Sequence, residues 1–438
     1  MREKVRVRFA PSPTGPLHIG SARTALFNYL YAKKFNGVFV LRFEDTDTAR
    51  SQKVFEENIL GGLAWLGFVT DETYHQSERE KVYRSYLQKL TDRGLTYEHD
   101  GGVYFKLPTD NRKVIVDDII RGQVEFESKD FDDLVLFKKD GSPTFHFANV
   151  VDDIEMKITH VIRGEDHLSN TPKHILLYEA LDATPPQFAH IPLILNPDRT
   201  KMSKRAGNVN LDDYKQAGYL PEALINFLVQ LGWSDPSSSV IPAKAGIYSL
   251  DELIKLFDLS RVQKAGAVFD IKHLNHLNHY YLMQKPLDEY TALATSRLSQ
   301  LATRNSRLLR SALRLVQDRA QTLGEIPSLI EFFFTQPEYD SPLLVFKKSS
   351  PEQTMTGLKT ALKVLEAISE TEWAQPKLQQ ILDEATAAES LQPGDLFWPV
   401  RVALSGRDAS PSPTELLDAL GKTESIARIK TAINKLGN

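Results

Sequence analysis

The first 43 residues constrain the fold most strongly, because their pattern changes from strand to helix and back to strand. Residues 5–10 alternate between apolar and charged side chains, as a β-strand does. Residues 11–16 contain three prolines and a glycine and therefore predict a loop. A helical apolar spacing begins at Ser21, Gly37 is placed to end it, and residues 38–43 have the pattern of a buried strand. This order is a βαβ unit, which predicts a parallel α/β sheet.

The rest of the chain divides into three stretches of different character. Helical spacing continues over residues 53–68 and 77–93, and residues 95–140 then hold short strand-like pieces, which predict a small insertion. The α/β pattern returns with a strand at 159–163, a helix at 171–181 and a strand at 190–195. After about residue 210 the pattern is mostly helical. The chain thus has an α/β front and an α-helical back.

Composition excludes several classes of protein. The 438 residues are too many for one ordinary core and suggest about two to four domains. Cysteine is absent, which removes disulfides, thiol nucleophiles and Cys-rich zinc sites. No apolar run approaches the roughly 18 residues of a membrane span, and the N-terminus lacks the apolar stretch of a signal peptide. We therefore expect a cytoplasmic protein. The formal net charge of −4 does not decide whether it binds nucleic acid.

The loop PSPTGPLHIG, over residues 11–20, lies where α/β proteins bind phosphates. It leaves a parallel strand and enters a helix, whose N-terminus offers unpaired N–H groups and a partial positive charge. Gly20 lets a ligand approach the backbone, and His18 can donate a hydrogen bond to a phosphoryl oxygen. Taken alone, a proline-rich turn with a surface histidine explains the same residues.

A second segment, KMSKR over residues 201–205, carries three cations in five residues. It follows a predicted strand and a turn, and Gly207 flanks it. A mobile basic loop of this kind can close over a polyphosphate and neutralise the charge that develops as pyrophosphate leaves. By itself, such a run is usually a solvated surface.

Together the two segments resemble the HIGH and KMSKS motifs of class I aminoacyl-tRNA synthetases. They occur in the right order, each after a predicted strand, with the insertion between them. The fourth position of the first motif is Ser21 instead of histidine, a departure common in the glutamyl branch. That branch is also indicated by RFAPSPTG at 8–15, RFEDTD at 42–47, FANVVDD at 147–153, VIRGEDH at 161–167, GYLPEAL at 218–224 and PVRVALSG at 399–406. The chain is therefore similar to bacterial glutamyl-tRNA synthetases over nearly its whole length.

The resemblance implies a fold class and a division into domains. The fold is an α/β Rossmann-type catalytic domain with a small inserted α+β acceptor-binding module, followed by an all-α anticodon-binding region. The implied segments are residues 1–94 and 141–195 for the two halves of the catalytic domain, 95–140 for the insertion, 196–285 for the KMSKS-loop and stem-contact domain, and 286–438 for the helical domain. Many relatives have a longer insertion with a Cys-bearing zinc site, so this reduced, cysteine-free one is expected to be metal-free.

The resemblance also implies site residues. For catalysis they are His18, Lys201, Ser203 and Lys204. For ATP they are Thr14, His18, Gly20, Asp166, Ile194 and Lys204. For glutamate they are Arg8, Ala10, Ser12, Glu44, Phe145, Asn149 and Arg163. Arg8 and Arg163 would face the side-chain carboxylate, for which a bidentate arginine is a natural partner. Many relatives have tyrosine at the position of Phe145, and Arg163 could instead form a structural ion pair with Glu165 or Asp166.

The implied substrates are L-glutamate, ATP with Mg2+, and tRNA(Glu), and tRNA(Gln) remains an open possibility. A basic helix in the back half is a candidate for phosphate contacts with the anticodon stem-loop, although an exposed amphipathic helix would have the same pattern. Its arginines with an expected tRNA role are Arg304, Arg307, Arg314 and Arg319. The adjacent Asp152 and Asp153 are interpreted as structural groups at a strand end. The resemblance further implies a monomer that does not bind membranes.

Four other classes of protein share parts of this pattern. A glutamyl-queuosine enzyme would lack the C-terminal helical part, of which this chain has about 150 residues. A glutaminyl enzyme would have a β-barrel-rich back half. A synthetase-like nucleotidyltransferase would need no tRNA, and an inactive RNA-binding relative would have lost His18, Lys204 or the arginines, which are all present.

Overall fold

The fold is described from a computed structural model. The described residues are 4–47, 50–108, 110–202, 209–235, 246–298 and 305–437. Within them the chain forms two compact units, Met1–Asn278 and His279–Asn438, which are described separately. The expected residues Ser203, Lys204 and Arg304 lie outside the described ranges.

The first unit is built on a seven-stranded sheet with the strand order β3-β2-β1-β9-β10-β6-β7. All neighbouring pairs in it are parallel except β6 and β7, which form an antiparallel hairpin. The strands of this sheet are β1 (Arg6–Phe9), β2 (Val38–Phe43), β3 (Glu72–His75), β6 (Lys113–Asp118), β7 (Gly122–Glu127), β9 (His160–Gly164) and β10 (Gln187–Ile191). The parallel α/β sheet predicted from the βαβ pattern is confirmed.

The inserted segment contributes to two different sheets. Its strands β4 (Thr96–His99), β5 (Gly102–Phe105) and β8 (Leu134–Phe137) form a separate antiparallel sheet. The β6–β7 hairpin instead extends the main sheet, because β6 pairs in parallel with β10 through Asp118 and Phe188. Part of the insertion is therefore continuous with the main sheet.

Within the described residues, five α-helices come between the strands of the main sheet along the chain, and the others follow β10. They are α1 (Ile19–Lys34), α2 (Lys53–Trp65), α3 (Glu80–Asp92), α4 (Phe145–Glu155), α5 (Thr171–Ala180), α6 (Leu211–Ala217), α7 (Pro221–Gln230), α8 (Leu250–Leu256) and α9 (Ile271–Gln284), and the division between the units falls in α9. Asp152 and Asp153 lie within α4, so their expected placement at a strand end was wrong.

The strand predicted over residues 190–195 is interrupted. Pro192 has no N–H to donate to a sheet, and β10 ends just before it. A two-residue strand, β11 (Ile194–Leu195), follows and pairs in parallel with β12 (Ala267–Val268). The segment that leads to the basic loop therefore leaves the main sheet.

The end of α1 also differs in detail from the prediction. The helix ends at Lys34, and Asn36, with a φ of 48°, adopts the left-handed conformation that was expected at Gly37. Gly37 is needed for another reason: a Cβ atom there would lie 2.5 Å from the backbone oxygen of Val5. The glycine lets the start of β2 approach the chain that leads into β1.

The described part of the second unit is helical. Its helices after α9 are α10 (Leu287–Thr295), α11 (Ser306–Val316), α12 (Ile326–Phe334), α13 (Pro351–Ala367), α14 (Gln375–Ala388), α15 (Pro393–Ser405), α16 (Pro413–Leu420) and α17 (Lys422–Gly437). Helix α13 packs against α14, α15 and α17. Its Gly357 sits against the first turn of α15, where a Cβ would lie 2.0 Å from the backbone oxygen of Asp395.

This close approach predicts opposite effects for two helical glycines. Gly357→Ala should destabilise the protein by about 1–3 kcal/mol, because α13 must move away from α15. Gly61→Ala is the matched control in the middle of α2, where a Cβ would meet nothing within 4 Å. It should stabilise the protein by up to about 1 kcal/mol through helix propensity. Thermal unfolding of both variants measures the difference, and equal shifts would contradict the packing of α13 on α15.

A search of the described residues for membrane spans finds no helix with the necessary length and apolar character.

Candidate active site

A cavity of about 550 Å³ opens at the carboxyl ends of the central parallel strands. Three of these strands end beside it: β1 before Ala10, β2 before Glu44 and β9 at Gly164. Every described residue that the sequence assigned to catalysis, ATP or glutamate lines this cavity. They are Arg8, Ala10, Ser12, Thr14, His18, Gly20, Glu44, Phe145, Asn149, Arg163, Asp166, Ile194 and Lys201. Residues from distant parts of the chain therefore meet at one edge of the sheet.

His18 is the N-cap of α1. Its Nδ1 atom accepts the backbone N–H of Ser21 at 3.2 Å, which requires the neutral ring to carry its proton on Nε2. The hydroxyl of Ser21 lies 2.9 Å from that Nε2 atom. The ring lies against Gly20, where a Cβ would come within 3.1 Å of it. Gly20 thus makes room for the histidine, and the ring is held at the positive end of the helix.

The described part of the basic segment returns toward the same cavity. Lys201 forms a bridge to Leu195 of β11, and the N–H of Met202 donates to the oxygen of Ile194 at 3.0 Å. The ammonium group of Lys201 is 3.6 Å from a carboxylate oxygen of Asp166. Both members of this pair line the cavity.

Arg163 is buried at the end of β9 and has no ion-pair partner among the described carboxylates. Its Nη2 atom donates to the hydroxyl of Thr171 at 2.8 Å, and its Nε atom donates to Nε2 of His190 at 3.2 Å. Burial and the nearby Arg8 lower the pKa of Arg163 to about 10, so the guanidinium remains charged at neutral pH. The structural ion pair with Glu165 or Asp166 is absent from the described residues.

Arg42 of β2 is fully buried and lies close to three carboxylates, of which Glu44 lines the cavity. Its guanidinium lies 2.6 Å from Asp153, 3.8 Å from Asp152 and 3.3 Å from Glu44, measured to the nearest carboxylate oxygens. Asp153 also accepts from Nε of Arg8 at 3.1 Å. Burial raises the pKa of Asp153, but Arg8 and Arg42 outweigh it and hold the pKa below its usual range. The two aspartates have the structural role that was expected, within a buried charge network.

Glu44 faces the cavity from the end of β2. One of its oxygens accepts from the amide of Asn149 at 2.7 Å and from Arg42 at 3.3 Å. Burial raises the pKa of Glu44, although Arg42, Arg8 and the Asn149 amide oppose the shift. A cationic group bound beside Glu44 would favour its ionised form.

Three histidines that the sequence analysis did not identify lie close to Phe145. His146 and His174 are 3.0 Å apart between Nδ1 and Nε2, and the Phe145 ring centroid is 5.7 Å from that of His167. Burial, assisted by nearby cations, lowers the pKa of His146 and His167 to about 4. The three histidines therefore carry no positive charge at neutral pH. Residues so far apart in the chain gave no local signal.

Arg42 was also missed as a functional group, although a signal for it existed. It is the one charged residue in the apolar run VFVLRF of residues 38–43. Such a charge is buried only where it is paired, so its presence predicts buried carboxylates nearby. Two of its partners, Asp152 and Asp153, lie on α4 and could not be named from spacing, whereas the third, Glu44, lies two residues away in the chain.

In the second unit, Arg314 and Arg319 line a pocket of about 430 Å³ with Asp318, Glu415 and Asp418. Arg307 is exposed on α11, and Arg310 of the same helix pairs with Asp288. Leu309 and Leu313 of this helix are buried. Arg319 lies beyond the end of α11 and not on the helix itself.

The side chains of the described segments include no group of three or more His, Cys, Asp or Glu residues arranged to hold a metal ion. Asp166 lines the cavity.

Comparison with known proteins shows that each unit matches a known protein family. Residues 4–102 and 100–276 match the family "tRNA synthetases class I (E and Q), catalytic domain", and residues 282–433 match "Anticodon binding domain". A glutamate–tRNA ligase of Akkermansia muciniphila is 41% identical over 443 residues, covering 98% of each chain. One of Heliobacterium modesticaldum is 38% identical over 497 residues, covering 99% of this chain and 98% of its own.

A solved structure has the same fold. It is a glutamate tRNA ligase of Elizabethkingia meningosepticum in complex with its amino acid, with a TM-score of 0.89, 34% identity and coverage of 99% of this chain and 100% of its own. The parallel sheet, the cavity at its carboxyl edge and the matched catalytic segment define a class I aminoacyl-tRNA synthetase. Within that class, the chain belongs to the glutamate–tRNA ligases.

Proposed function

We propose that the cavity binds L-glutamate and ATP side by side, joins them as glutamyl-adenylate with release of pyrophosphate, and transfers glutamate to the 3′-terminal adenosine of tRNA(Glu). The observation that carries this proposal is the position of Arg163. It is a buried cation at the cavity without a carboxylate partner among the described residues. A buried charge of this kind is stable only if something pairs with it, and a ligand carboxylate satisfies that need.

The surrounding charges favour glutamate over glutamine. Two arginines, Arg8 and Arg163, line the cavity, and Arg8 pairs with Asp153 at 3.1 Å. Arg163 has no carboxylate at ion-pair distance among the described residues, so its positive charge is left for a ligand. The side-chain carboxylate of glutamate can pair with this charge, whereas the neutral side-chain amide of glutamine cannot.

The orientation of the amino acid follows from the same charges. The side-chain carboxylate would lie between Arg163 and Arg8, and the α-ammonium group would face Glu44. Asn149 holds one oxygen of Glu44 and thereby fixes the direction of its carboxylate. Ala10, Ser12 and Phe145 would form the walls around the aliphatic part of the substrate. The α-carboxylate would then point toward His18 and the N-terminus of α1.

The nucleotide would occupy the other half of the cavity. His18 is positioned at the N-terminus of α1 with its proton on Nε2, and this N–H would donate to a phosphoryl oxygen in place of the Ser21 hydroxyl. Thr14, Gly20, Asp166 and Ile194 line the same half. Lys201, with Ser203 and Lys204 beyond the described residues, would neutralise the departing pyrophosphate. No general base is required for the transfer, because an acyl adenylate is already activated and the ribose hydroxyl needs only to be positioned.

The helical unit would bind the anticodon part of the tRNA. The proposal is supported by three arginines of this unit, Arg307, Arg314 and Arg319. Arg314 and Arg319 line a polar pocket whose carboxylates can also accept hydrogen bonds. Arg304 would join them from outside the described residues. We expect the enzyme to act as a monomer, and we extend the proposal to tRNA(Gln) only as a second acceptor to be tested.

Pyrophosphate exchange into ATP tests the choice of amino acid. With the tRNA present, glutamate should support exchange at least about a hundredfold better than glutamine, because glutamine leaves Arg163 unpaired. Exchange should be weak without tRNA, because the resemblance to the glutamyl enzymes implies that tRNA completes the active site. Equal exchange with the two amino acids would contradict the proposed role of the arginines.

A further inference from the structure

A row of three buried side chains connects the inserted hairpin with the cavity. Asp118 ends β6, His190 lies on β10 and Arg163 lies on β9, and these three strands are neighbours in the main sheet. The Asp118 carboxylate is 2.6 Å from Nδ1 of His190, and Nε2 of His190 is 3.2 Å from Nε of Arg163. Asp118, His190 and Arg163 are 3%, 0% and 6% exposed, so water does not compete for these hydrogen bonds.

Asp118 is held rigidly as an ionised acceptor. Its carboxylate accepts the backbone N–H groups of Ile120 at 2.9 Å, Arg121 at 2.8 Å and His190 at 3.0 Å. Burial raises the pKa of this carboxyl group, but the His190 ring and the backbone N–H groups outweigh burial and leave the pKa below its ordinary value. A carboxylate in this state cannot donate a hydrogen bond.

The ionised carboxylate determines which nitrogen of His190 carries the proton. Because Asp118 only accepts, Nδ1 of His190 must donate to it. Burial and the neighbouring Arg163 lower the pKa of His190, although Asp118 opposes them, so the ring is neutral. Its Nε2 atom then has a free electron pair, which accepts the Nε–H of Arg163. The opposite tautomer would direct two N–H groups at each other.

The remaining contacts leave one edge of Arg163 for a ligand. Nη2 donates to the hydroxyl of Thr171 at 2.8 Å and to the oxygen of His167 at 3.4 Å. Thr171 is itself fixed, because its hydroxyl lies 3.0 Å from Nε2 of His190. Within the described residues no group accepts from Nη1, and Arg163 lines the cavity.

We propose that Asp118 and His190 are positioning residues that fix the tautomer of His190 and, through it, the orientation of Arg163 toward the side-chain carboxylate of glutamate. This inference rests on the proposed role of Arg163 in binding glutamate. It assigns part of the affinity for the amino acid to the β6–β7 hairpin, which belongs to the insertion and does not itself line the cavity.

Two substitutions of His190 test its hydrogen bonds to Asp118 and to Arg163 separately. In His190→Asn the side-chain amide replaces Nδ1 and keeps the bond to Asp118, but no acceptor remains for Arg163. In His190→Gln the side-chain oxygen replaces Nε2 and accepts from Arg163. His190→Asn and Asp118→Asn should each raise the KM for glutamate about tenfold or more in tRNA-dependent pyrophosphate exchange. His190→Gln should recover most of that loss, and the KM for ATP should not change in any of them.

Asp395→Asn provides the matched control. Asp395 is another buried aspartate that accepts a backbone N–H, from Gln392 at 2.9 Å, and it lies in the helical unit. Its replacement should lower the melting temperature without changing the KM for glutamate. An equal increase in the KM for glutamate in His190→Asn and His190→Gln would overturn the proposed positioning role of His190. An equal increase in the KM values for glutamate and for ATP would overturn it as well.

A spectrum of the wild-type enzyme tests the same inference without depending on the folding of any variant. ¹⁵N-labelled histidine distinguishes the tautomers, and His190 is assigned by the resonance that His190→Gln or His190→Asn removes. We expect protonation on Nδ1 and an unprotonated Nε2 at neutral pH. Protonation on Nε2, or on both nitrogens, would overturn the proposal that Asp118 and His190 position Arg163. Absence of glutamate-dependent exchange in the wild type would instead overturn the proposed function of the cavity.

Discussion

Replacing Arg163 with alanine is expected to raise the KM for glutamate by about 30-fold or more and to leave the KM for ATP within about threefold of the wild-type value. The reason is that one partner of a buried, hydrogen-bonded charge pair is lost, which costs at least about 2 kcal/mol of binding free energy. The half of the cavity that we propose for the nucleotide has other lining residues, His18, Asp166 and Lys201 among them. Pyrophosphate exchange with varied glutamate and varied ATP measures both constants.

Arg6→Ala is the control for this experiment. Arg6 lies two residues before Arg8 on β1 and pairs with Glu72 through contacts of 2.9 and 2.7 Å, but it does not line the cavity. Its loss should lower stability and leave both KM values unchanged. If Arg163→Ala raised the two KM values equally, the arginine would support the fold of the site and would not bind the amino acid.

Replacing Arg42 with methionine is expected to destabilise the protein by about 3–5 kcal/mol. The guanidinium is 0% exposed, and three carboxylates lose their nearest buried cation when it is removed. Methionine fills a similar length, so the loss reports mainly the unpaired charges. Denaturant unfolding, followed by a probe in the α/β unit, measures it.

A second substitution tests whether charge is the cause. The double variant Arg42→Met, Asp153→Asn removes the carboxylate closest to Arg42, at 2.6 Å, and should recover part of the lost stability. Additive losses from the two substitutions would contradict a charge network, because residues in direct contact are expected to be coupled. A loss below about 1 kcal/mol for Arg42→Met alone would contradict it as well.

The convergence of the site residues could be predicted from the sequence because it follows from topology. Arg8, Glu44 and Arg163 come at or near the ends of predicted parallel strands, and the ends of such strands meet at one edge of a sheet. The first strand, the loop and the first helix were also predictable, since hydrophobic period and proline content are local signals.

Other features depend on partners that no local pattern identifies. Asp118 is the last residue of a short inserted strand, and its contact with His190 exists only because β6 pairs with β10. Asp152 and Asp153 were placed at a strand end, since their helix carries a mostly apolar sequence whose length alone did not separate helix from strand. The break at Pro192 was missed because the apolar run continues on both sides of it.

The helical second unit separates the synthetase from its nearest alternative. A glutamyl-queuosine enzyme would lack it, whereas residues 282–433 match an anticodon-binding family and the described part of this unit is helical. A glutaminyl enzyme with a β-barrel-rich back half is disfavoured by the same observation.

Aminoacylation with labelled amino acids tests the central claim most directly. The purified enzyme, with ATP and Mg2+, should attach glutamate to tRNA(Glu) and should attach neither glutamine nor aspartate. The same tRNA without its 3′-terminal adenosine should accept nothing, because the proposed ester forms on that nucleotide. Parallel reactions with tRNA(Gln) reveal whether a second acceptor is used. Attachment of glutamine, or glutamate incorporation that persists after removal of the terminal adenosine, would contradict the account.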